Sequence, residues 1–256
     1  MVDSRRPRFT NATEASAAAG PRFDKRRALL HNRPVSRGLF ITFEGSEGCG
    51  KSTQVQRLAA RLERAGLSFL LTREPGGTPI GEKIRDLLQF DPEGAAMRPE
   101  TEVLLFEASR SQLVREIIEP ALERGQLVIS DRFFDSTTVY QGAARRLDPR
   151  AVEELNAFAM GARRPDITFV LDVDVATARA RMLRRVRPVG APDRMEQEPV
   201  EFYERVCAAY RELALQEKDR VQLINGGRSV DEIEAEIWQL LRSRFGEYFS
   251  SAHPEN

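Results

Sequence analysis

Residues 45–52, GSEGCGKS, combine three glycines, a lysine and a hydroxyl in the pattern G-x-x-x-x-G-K-[ST]. They stand between the apolar run LFITF and a helical pattern. Glycines let the backbone wrap an anion with its N–H groups inward, and the following helix start adds positive charge. Lys51 is predicted to reach the β- and γ-phosphates of a nucleoside triphosphate, and Ser52 to bind Mg²⁺. The residues predicted to bind this triphosphate are Gly45, Ser46, Glu47, Gly48, Cys49, Gly50, Lys51, Ser52 and Thr53.

A second polar cluster, REPGGT, follows the apolar run SFLLT. The Pro-Gly pair at 75–76 predicts a tight turn, because proline fixes φ and glycine tolerates a positive φ. Such a turn is expected to direct Arg73 and Glu74 into the cleft beside the phosphate loop.

The stretch TEVLLFEASRSQL is predicted to be helical, with Phe106 and Arg110 four residues apart on one face. An aromatic ring at this place is suited to stack on a base. A guanidinium beside it is suited to donate hydrogen bonds to a base carbonyl.

A third cluster, DRFFDSTTVYQG, follows the apolar run QLVIS. An aspartate at the end of a buried strand near a phosphate loop is suited to hold Mg²⁺, which assigns Asp131 to the metal. Arg132 is expected to clamp an anionic phosphate. Thr137, Tyr140 and Gln141 offer hydroxyl and amide groups to a base or a sugar.

Short apolar runs alternate with helical patterns from residue 38 onward. The runs are GLFITF, SFLLT, QLVIS, DITFVLDV and VQLIN. This order predicts an α/β domain over residues 38–245, a doubly wound five-stranded parallel sheet flanked by helices, with ligands at the carboxyl ends of the strands. Residues 1–37 are predicted to form a disordered basic tail, and residues 246–256 a flexible C-terminal tail.

Composition excludes several classes of function. Lys plus Arg and Asp plus Glu are both 39, which removes the electrostatic argument for a nucleic-acid partner. Apolar runs are too short to span a membrane, and no apolar stretch follows Arg5 and Arg6 as export would require. A guanine-reading NKxD is absent, which argues against a GTPase. Cys49 and Cys207 are too few for a disulfide framework and fit a reducing cytoplasm.

In combination and order, five motifs resemble bacterial thymidylate kinase over residues 38–243: EGSEGCGKST, REPGGT, LLFEASR, DRFFDSTTVYQG and DRMEQEPVEFYERV. The resemblance implies a P-loop kinase that transfers the γ-phosphate of ATP to dTMP, giving dTDP, with Mg²⁺ and as a homodimer. It also implies an acceptor site for dTMP. Arg73, Glu74 and Arg85 would line this site, Glu47 would lie near the sugar, and Arg132 would hold the phosphate. Phe106 would stack on thymine, Arg110 would meet the carbonyl edge of the base, Thr137 and Gln141 would face the base, and Tyr140 would crowd the 2′ position of the sugar. Where Glu47 stands, aspartate is also common, and Phe133 replaces a more usual Tyr or His.

The stretch RARMLRRVRPVGAPDRMEQE, residues 179–198, begins as a helix and then meets prolines, which predicts a basic lid over the cleft. Some members of the family have an arginine where this chain has Gly48. In those members the arginine helps to neutralise the transferred phosphoryl group. This chain is therefore expected to supply that positive charge from the lid arginines Arg184, Arg185, Arg187 and Arg194. Arg179 and Arg181, farther from the prolines, are more typical of a solvated helix end.

Two other functions stay open from the residues alone. A nucleoside kinase would use Glu74 to take a proton from a 5′-hydroxyl, although Arg73, Arg85 and Arg132 favour a phosphorylated acceptor. A non-catalytic module that binds ATP would need no second pocket. The homodimer follows from the resemblance, and its interface is expected to use Val103, Phe106, Val114 and Ile118.

Overall fold

The computed structural model describes residues 37–184 and 193–249. Five parallel strands form one sheet in the order β2-β3-β1-β4-β5. The strands are β1 Phe40–Glu44, β2 Phe69–Arg73, β3 Leu127–Asp131, β4 Ile167–Asp172 and β5 Val221–Asn225. Each strand lies within one of the predicted apolar runs or ends one residue beyond it, so the predicted α/β fold is confirmed.

The central strands β1, β3 and β4 are buried almost throughout, whereas β2 and β5 are partly exposed. The sequence predicts all five as buried strands, and the two exceptions are the edges of the sheet. Leu71 of β2 and Leu223 of β5 are 41% and 44% exposed. An edge strand has a neighbour on one side only, and its apolar run alone does not reveal its place in the sheet.

Helices lie on both faces of this sheet. They are α1 Lys51–Arg64, α2 Pro79–Gln89, α3 Pro99–Leu113, α4 Glu119–Glu123, α5 Phe134–Thr137, α6 Pro149–Met160, α7 Val175–Arg184, α8 Val200–Gln216 and α9 Val230–Phe249. Two π-helical segments, Val114–Ile118 and Thr138–Ala144, and two 3₁₀ turns, Pro92–Ala96 and Arg194–Gln197, complete the described elements. Helices α2, α3 and α6 each begin at a proline, whose fixed φ and missing N–H suit the first helical position.

Alternation along β1 divides the core between the two faces of the sheet. Ile41 and Phe43 pack with residues of α1 and α9, while Phe40 packs with the α3–α4 region. A third cluster joins α8 to β4 through Val170 and Tyr210. These layers hold the carboxyl ends of β1, β2 and β3 side by side, with Asp131 in register with both Phe43 and Arg73.

The apolar face predicted for a homodimer interface is largely internal. Val103, Val114 and Ile118 are at most 3% exposed and belong to the core of the protomer. Helical spacing identified one apolar face, but α3 and the π-helical segment that follows it bury that face within their own domain. The exposed apolar residues on the neighbouring helices α3 and α6 are Leu104 and Phe158, at 54% and 82%.

The C-terminal helix extends beyond the predicted domain boundary at residue 245. Its backbone kinks at Phe245 and then continues to Phe249, whose ring lies 5.1 Å from that of Trp238 and is 6% exposed. The prediction of a flexible tail therefore does not hold for residues 246–249. Residues 250–256 and 1–36, which include most of the predicted tails, lie outside the described residues. Within the described residues, none of the helices combines the length and apolar content needed to cross a bilayer.

Candidate active site

The phosphate loop, residues 45–52, joins β1 to α1 and leaves the first turn of α1 open. Gly50 precedes the helix with φ +102°, and among the described residues no side chain caps the helix start. The first backbone N–H groups of a helix have no intrahelical partner, and the helix dipole makes this end positive. The loop therefore has the open helix start that the predicted phosphate site requires.

Gly48 lies against helix α7, and this close approach leaves no room for a side chain. Its φ is +75°, and a Cβ would stand 2.3 Å from the carbonyl oxygen of Ala178. An arginine at position 48 would displace α7 as well as force an unfavourable backbone conformation. Position 48 therefore cannot supply a positive charge, and a cation facing the phosphate loop has to come from another element.

A cavity of about 560 Å³ opens over the phosphate loop, and we call it the loop cavity. It is lined by Glu47, Gly48, Gly50, Lys51, Ser52, Thr53, Arg73, Glu74, Arg85, Gln89, Asp131, Arg132, Arg181, Asp193 and Glu196. The Lys51 ammonium donates hydrogen bonds to the carbonyl oxygens of Gly45 and Ser46, at 3.0 and 2.8 Å. Lys51 is thus held within the loop, at the wall of the cavity.

Ser52 and Asp131 form the predicted metal pair. The Ser52 hydroxyl donates to Asp131 Oδ2 over 2.8 Å, since α1 starts at the end of β1 and β3 is the neighbouring strand. The described residues contain no group of three or more His, Cys, Asp or Glu that could hold a metal ion. Mg²⁺ in kinase sites typically takes one or two protein oxygens together with phosphate oxygens and water. The hydroxyl and carboxylate oxygens present here fit that ion.

Arg132 occupies the junction between β3 and α5 in a left-handed conformation, with φ 72°. Its guanidinium donates to the Gly45 carbonyl at 3.1 Å, the Ser136 hydroxyl at 3.0 Å and the Tyr140 hydroxyl at 3.2 Å, and pairs with Glu47. It also lies 5.0 Å over the ring of Tyr140. These contacts fix a cation beside the phosphate loop, as the sequence predicts.

A smaller pocket, which we call the ring pocket, adjoins the loop cavity. It is lined by Glu47, Pro75, Gln89, Phe106, Arg132, Ser136, Thr137, Tyr140, Gln141 and Met195. Five residues predicted for a base or sugar site, Glu47, Phe106, Thr137, Tyr140 and Gln141, meet here from three separate chain segments. Glu47, Gln89 and Arg132 line both cavities, so the two are continuous at these residues.

Arg110 differs from its prediction. It is 1% exposed and lies behind the ring pocket, where its N–H groups reach Glu74, Glu107, Asn156 and Thr137. Because these acceptors take all five N–H donors, Arg110 positions Thr137 and Glu74 instead of presenting a free donor to a base carbonyl. Helix periodicity places Phe106 and Arg110 on one face but does not reveal buried carboxylates from elsewhere.

Arg73 and Glu74 of the REPGGT turn line the loop cavity as predicted, together with Arg85. Arg73 pairs with Glu82 at 2.7 Å, and Arg85 donates to the Pro75 carbonyl at 3.0 Å. Glu74 is 5% exposed, and its Oε1 has no hydrogen-bond partner among the described residues. Burial raises the pKa of Glu74 to about 7, even though Arg110 pulls it down.

Neither of the two lid arginines among the described residues, Arg184 and Arg194, lines the loop cavity. Arg184 is exposed at the end of α7, and Arg185 and Arg187 lie outside the described residues. Arg194 donates to the Leu88 carbonyl at 3.0 Å and to Glu102 at 2.5 Å. Its predicted catalytic position is therefore wrong for the described structure, because a buried carboxylate on α3 holds it away from the loop.

Arg181 takes the place expected for those arginines. It lines the loop cavity, and its Nη1 donates to the carbonyl oxygens of Gly226 at 3.0 Å and Cys49 at 3.4 Å. A small residue, Ala178, precedes Arg181 by one helical turn, and its carbonyl oxygen faces Gly48. Ala178 therefore marks the face of α7 that packs on the phosphate loop, and Arg181 lies on the same face. Sequence reasoning also missed Asp193, which lines the same cavity and whose pKa burial raises to about 6.

Comparison with known proteins agrees with this geometry. The family model described as thymidylate kinase matches residues 43–237. A thymidylate kinase from Deinococcus radiodurans is 45% identical over 82% of this chain and 99% of its own length, and one from Halothermothrix orenii is 47% identical over 80% and 97%. A crystal structure of thymidylate kinase from Ehrlichia chaffeensis is 34% identical, with a TM-score of 0.64 over 80% of this chain and 99% of that one. The chain belongs to the thymidylate kinase family.

Proposed function

We propose that the chain transfers the γ-phosphate of ATP to dTMP, giving dTDP and ADP, with ATP in the loop cavity and the thymine base in the ring pocket. The observation that carries the proposal is the shared wall of Glu47, Gln89 and Arg132 between the two cavities. A nucleotide whose base fills the ring pocket would present its phosphate at Arg132. The reacting groups would then meet beside the phosphate loop.

On the donor side, the open helix start and Lys51 are suited to bind the ATP phosphates. Lys51 would exchange its contacts with the Gly45 and Ser46 carbonyls for phosphate oxygens. Ser52 and Asp131 would hold Mg²⁺. When bound with ATP, that ion neutralises charge on the phosphates.

On the acceptor side, Phe106 would stack on thymine, and Thr137 and Gln141 would bind its polar edge. Tyr140 would stand against the 2′ position and favour deoxyribose. Arg132 is suited to hold the acceptor phosphate, with Arg73 and Arg85 on the same cavity wall. A site with these cations favours a phosphorylated acceptor.

The reaction requires no general base, because a phosphate monoester is largely dianionic near neutral pH, with a second pKa of about 6. Catalysis would consist of aligning two anions and neutralising the transferred phosphoryl group. Arg181 is the α7 side chain placed for that role in the described part of the chain. Arg184, Arg185 and Arg187 stay as predicted contributors.

One observation favours a second candidate activity, phosphorylation of a nucleoside 5′-hydroxyl. Glu74 lines the loop cavity, its Oε1 has no partner among the described residues, and burial raises its pKa to about 7. A carboxylate that titrates near neutral pH is suited to accept a proton from a hydroxyl. The surrounding arginines make dTMP the preferred acceptor.

A homodimer in the cytoplasm is part of the proposal. Exposed Leu104 and Phe158, on helices α3 and α6 that pack together, support an interface on that side of the domain. Sedimentation of the purified chain tests the dimer: a monomer at micromolar concentration would contradict it.

A coupled ADP-release assay with dTMP, UMP, CMP and thymidine distinguishes these functions. We expect rapid ADP release with dTMP and little with the other three. Release with thymidine alone would support the nucleoside kinase. ATP binding without release in any well would indicate a non-catalytic ATP-binding module.

A further inference from the structure

Glu102 of helix α3 is a buried carboxylate surrounded by three donor side chains from two other segments, Gln141 and Arg145 from one and Arg194 from the other. It is 1% exposed. Its Oε1 accepts from Gln141 Nε2 at 2.7 Å and from Arg145 Nε at 3.1 Å. Its Oε2 accepts from Arg145 Nη2 at 3.1 Å and from Arg194 Nη2 at 2.5 Å. Among these partners, only Gln141 also lines the ring pocket.

The charge of Glu102 determines how the Gln141 amide is turned. Burial alone would raise the pKa of Glu102, but Arg145, Gln141 and Arg194 bring it below its ordinary value. An ionised carboxylate only accepts hydrogen bonds, so Gln141 has to present its NH₂ group to it. This orientation follows from chemistry and does not depend on how the amide atoms are assigned.

The opposite end of the same amide is then a fixed acceptor. With Nε2 directed at Glu102, the carbonyl oxygen Oε1 points away from that carboxylate. No group among the described residues donates a hydrogen bond to it. Thymine and uracil carry an N–H at ring position 3, whereas cytosine has a bare acceptor nitrogen there.

We infer that Glu102 is a positioning residue for base selectivity: it locks Gln141 with its carbonyl toward the ring pocket, so that the pocket selects a pyrimidine with a ring N–H over cytosine. The inference rests on the proposed function, because it takes the ring pocket as the base site. It assigns no contact between Glu102 and substrate. Glu102 acts only through the amide of Gln141.

The substitution Glu102→Gln tests the lock with nearly unchanged shape. Its oxygen is expected to stay beside the two guanidinium donors at the Oε2 position, which places its NH₂ opposite Gln141. Gln141 then turns its carbonyl to that NH₂ and presents its own NH₂ to the pocket. The donor and acceptor pattern of the pocket is thereby reversed.

Calorimetry gives the dissociation constants for dUMP and dCMP, and their ratio measures the selectivity for a ring N–H over cytosine. This measurement does not depend on turnover, and neither base carries the methyl group of thymine. In Glu102→Gln the preference for dUMP should fall by about 10- to 100-fold, the range for one mispaired buried hydrogen bond. Glu198→Gln is the matched control, because Glu198 also binds Arg145, at 2.5 Å, but does not contact Gln141. It should leave the preference unchanged.

Several outcomes would overturn the inference: a folded Glu102→Gln variant that keeps the preference, an equal loss in Glu198→Gln, or a preference that survives Gln141→Leu. Should Glu102→Gln not fold, Glu102→Asp retains the carboxylate and should retain the preference, and its loss would contradict the lock. A parental chain that makes no dTDP and shows no preference for dTMP over dCMP refutes the proposed function instead. The two failures are therefore distinguishable.

Discussion

Removal of Arg181 should slow phosphoryl transfer without unfolding the chain. Its Nη1 already binds two backbone carbonyls, and among the described residues Nε and Nη2 have no partner. Two charge-assisted bonds from these donors to the transferred group would contribute about 3–6 kcal/mol. Ordering the side chain costs about 2 kcal/mol. The net, about 1–4 kcal/mol, corresponds to a fall in kcat of roughly 5- to 1,000-fold in Arg181→Ala.

Steady-state kinetics with ATP and dTMP measure this effect, and the KM for dTMP should change little because the contact strengthens mainly in the transition state. Arg179→Ala is the matched control, since Arg179 is exposed on the same helix and its loss changes the charge equally. The reasoning is refuted if Arg181→Ala turns over within twofold of the parent, or if both variants lose the same activity.

Other perturbations have equally specific expectations. Lys51→Ala should reduce turnover by orders of magnitude while circular dichroism shows the fold intact, and undiminished dTDP formation would remove the phosphate loop from the mechanism. Phe106→Ala should weaken dTMP binding by about 1–3 kcal/mol in calorimetry, the scale of base–aromatic stacking, with ATP affinity nearly unchanged; unchanged dTMP affinity would make Phe106 a packing residue. The folded-state pKa of Glu74 is about 7 against an ordinary 4.5, so the folded chain binds more protons than the unfolded chain between these values. Stability should therefore fall as pH rises through this window, by up to about 3 kcal/mol, and Glu74→Gln should lack that part of the slope in thermal melts; identical slopes would contradict the assignment.

The strands and the phosphate loop could be predicted because their signals are local. Continuous apolar runs mark the strands, and the loop pattern fixes both the turn and the start of the helix. The pairing of Ser52 with Asp131 also follows from sequence, because parallel strands bring their carboxyl ends to one edge.

The hydrogen-bond partners of long polar side chains could not be predicted in the same way. Arg194 and Gln141 bind Glu102 from 92 and 39 residues away along the chain, and Arg110 reaches Asn156 from 46 residues away. A buried carboxylate attracts whichever cations the tertiary fold brings within reach, and helical periodicity carries no information about this. The selection of Arg181 over Arg194 at the loop cavity depends on such contacts.

The homodimer face shows the same limit. Periodicity groups Val103, Val114 and Ile118 correctly on an apolar face, but only the fold shows that this face is interior. For the C-terminal segment, Gly246 and Glu247 interrupt the apolar pattern and conceal that Phe249 packs against Trp238.

Transfer of label from γ-³²P-ATP in a single turnover with dTMP tests the central claim most directly. With enzyme in excess over ATP, we expect the label in dTDP, at a rate that falls by orders of magnitude in Lys51→Ala. Label that appears only in inorganic phosphate, or that remains in ATP while dTMP is bound, would contradict direct transfer between the loop cavity and the ring pocket.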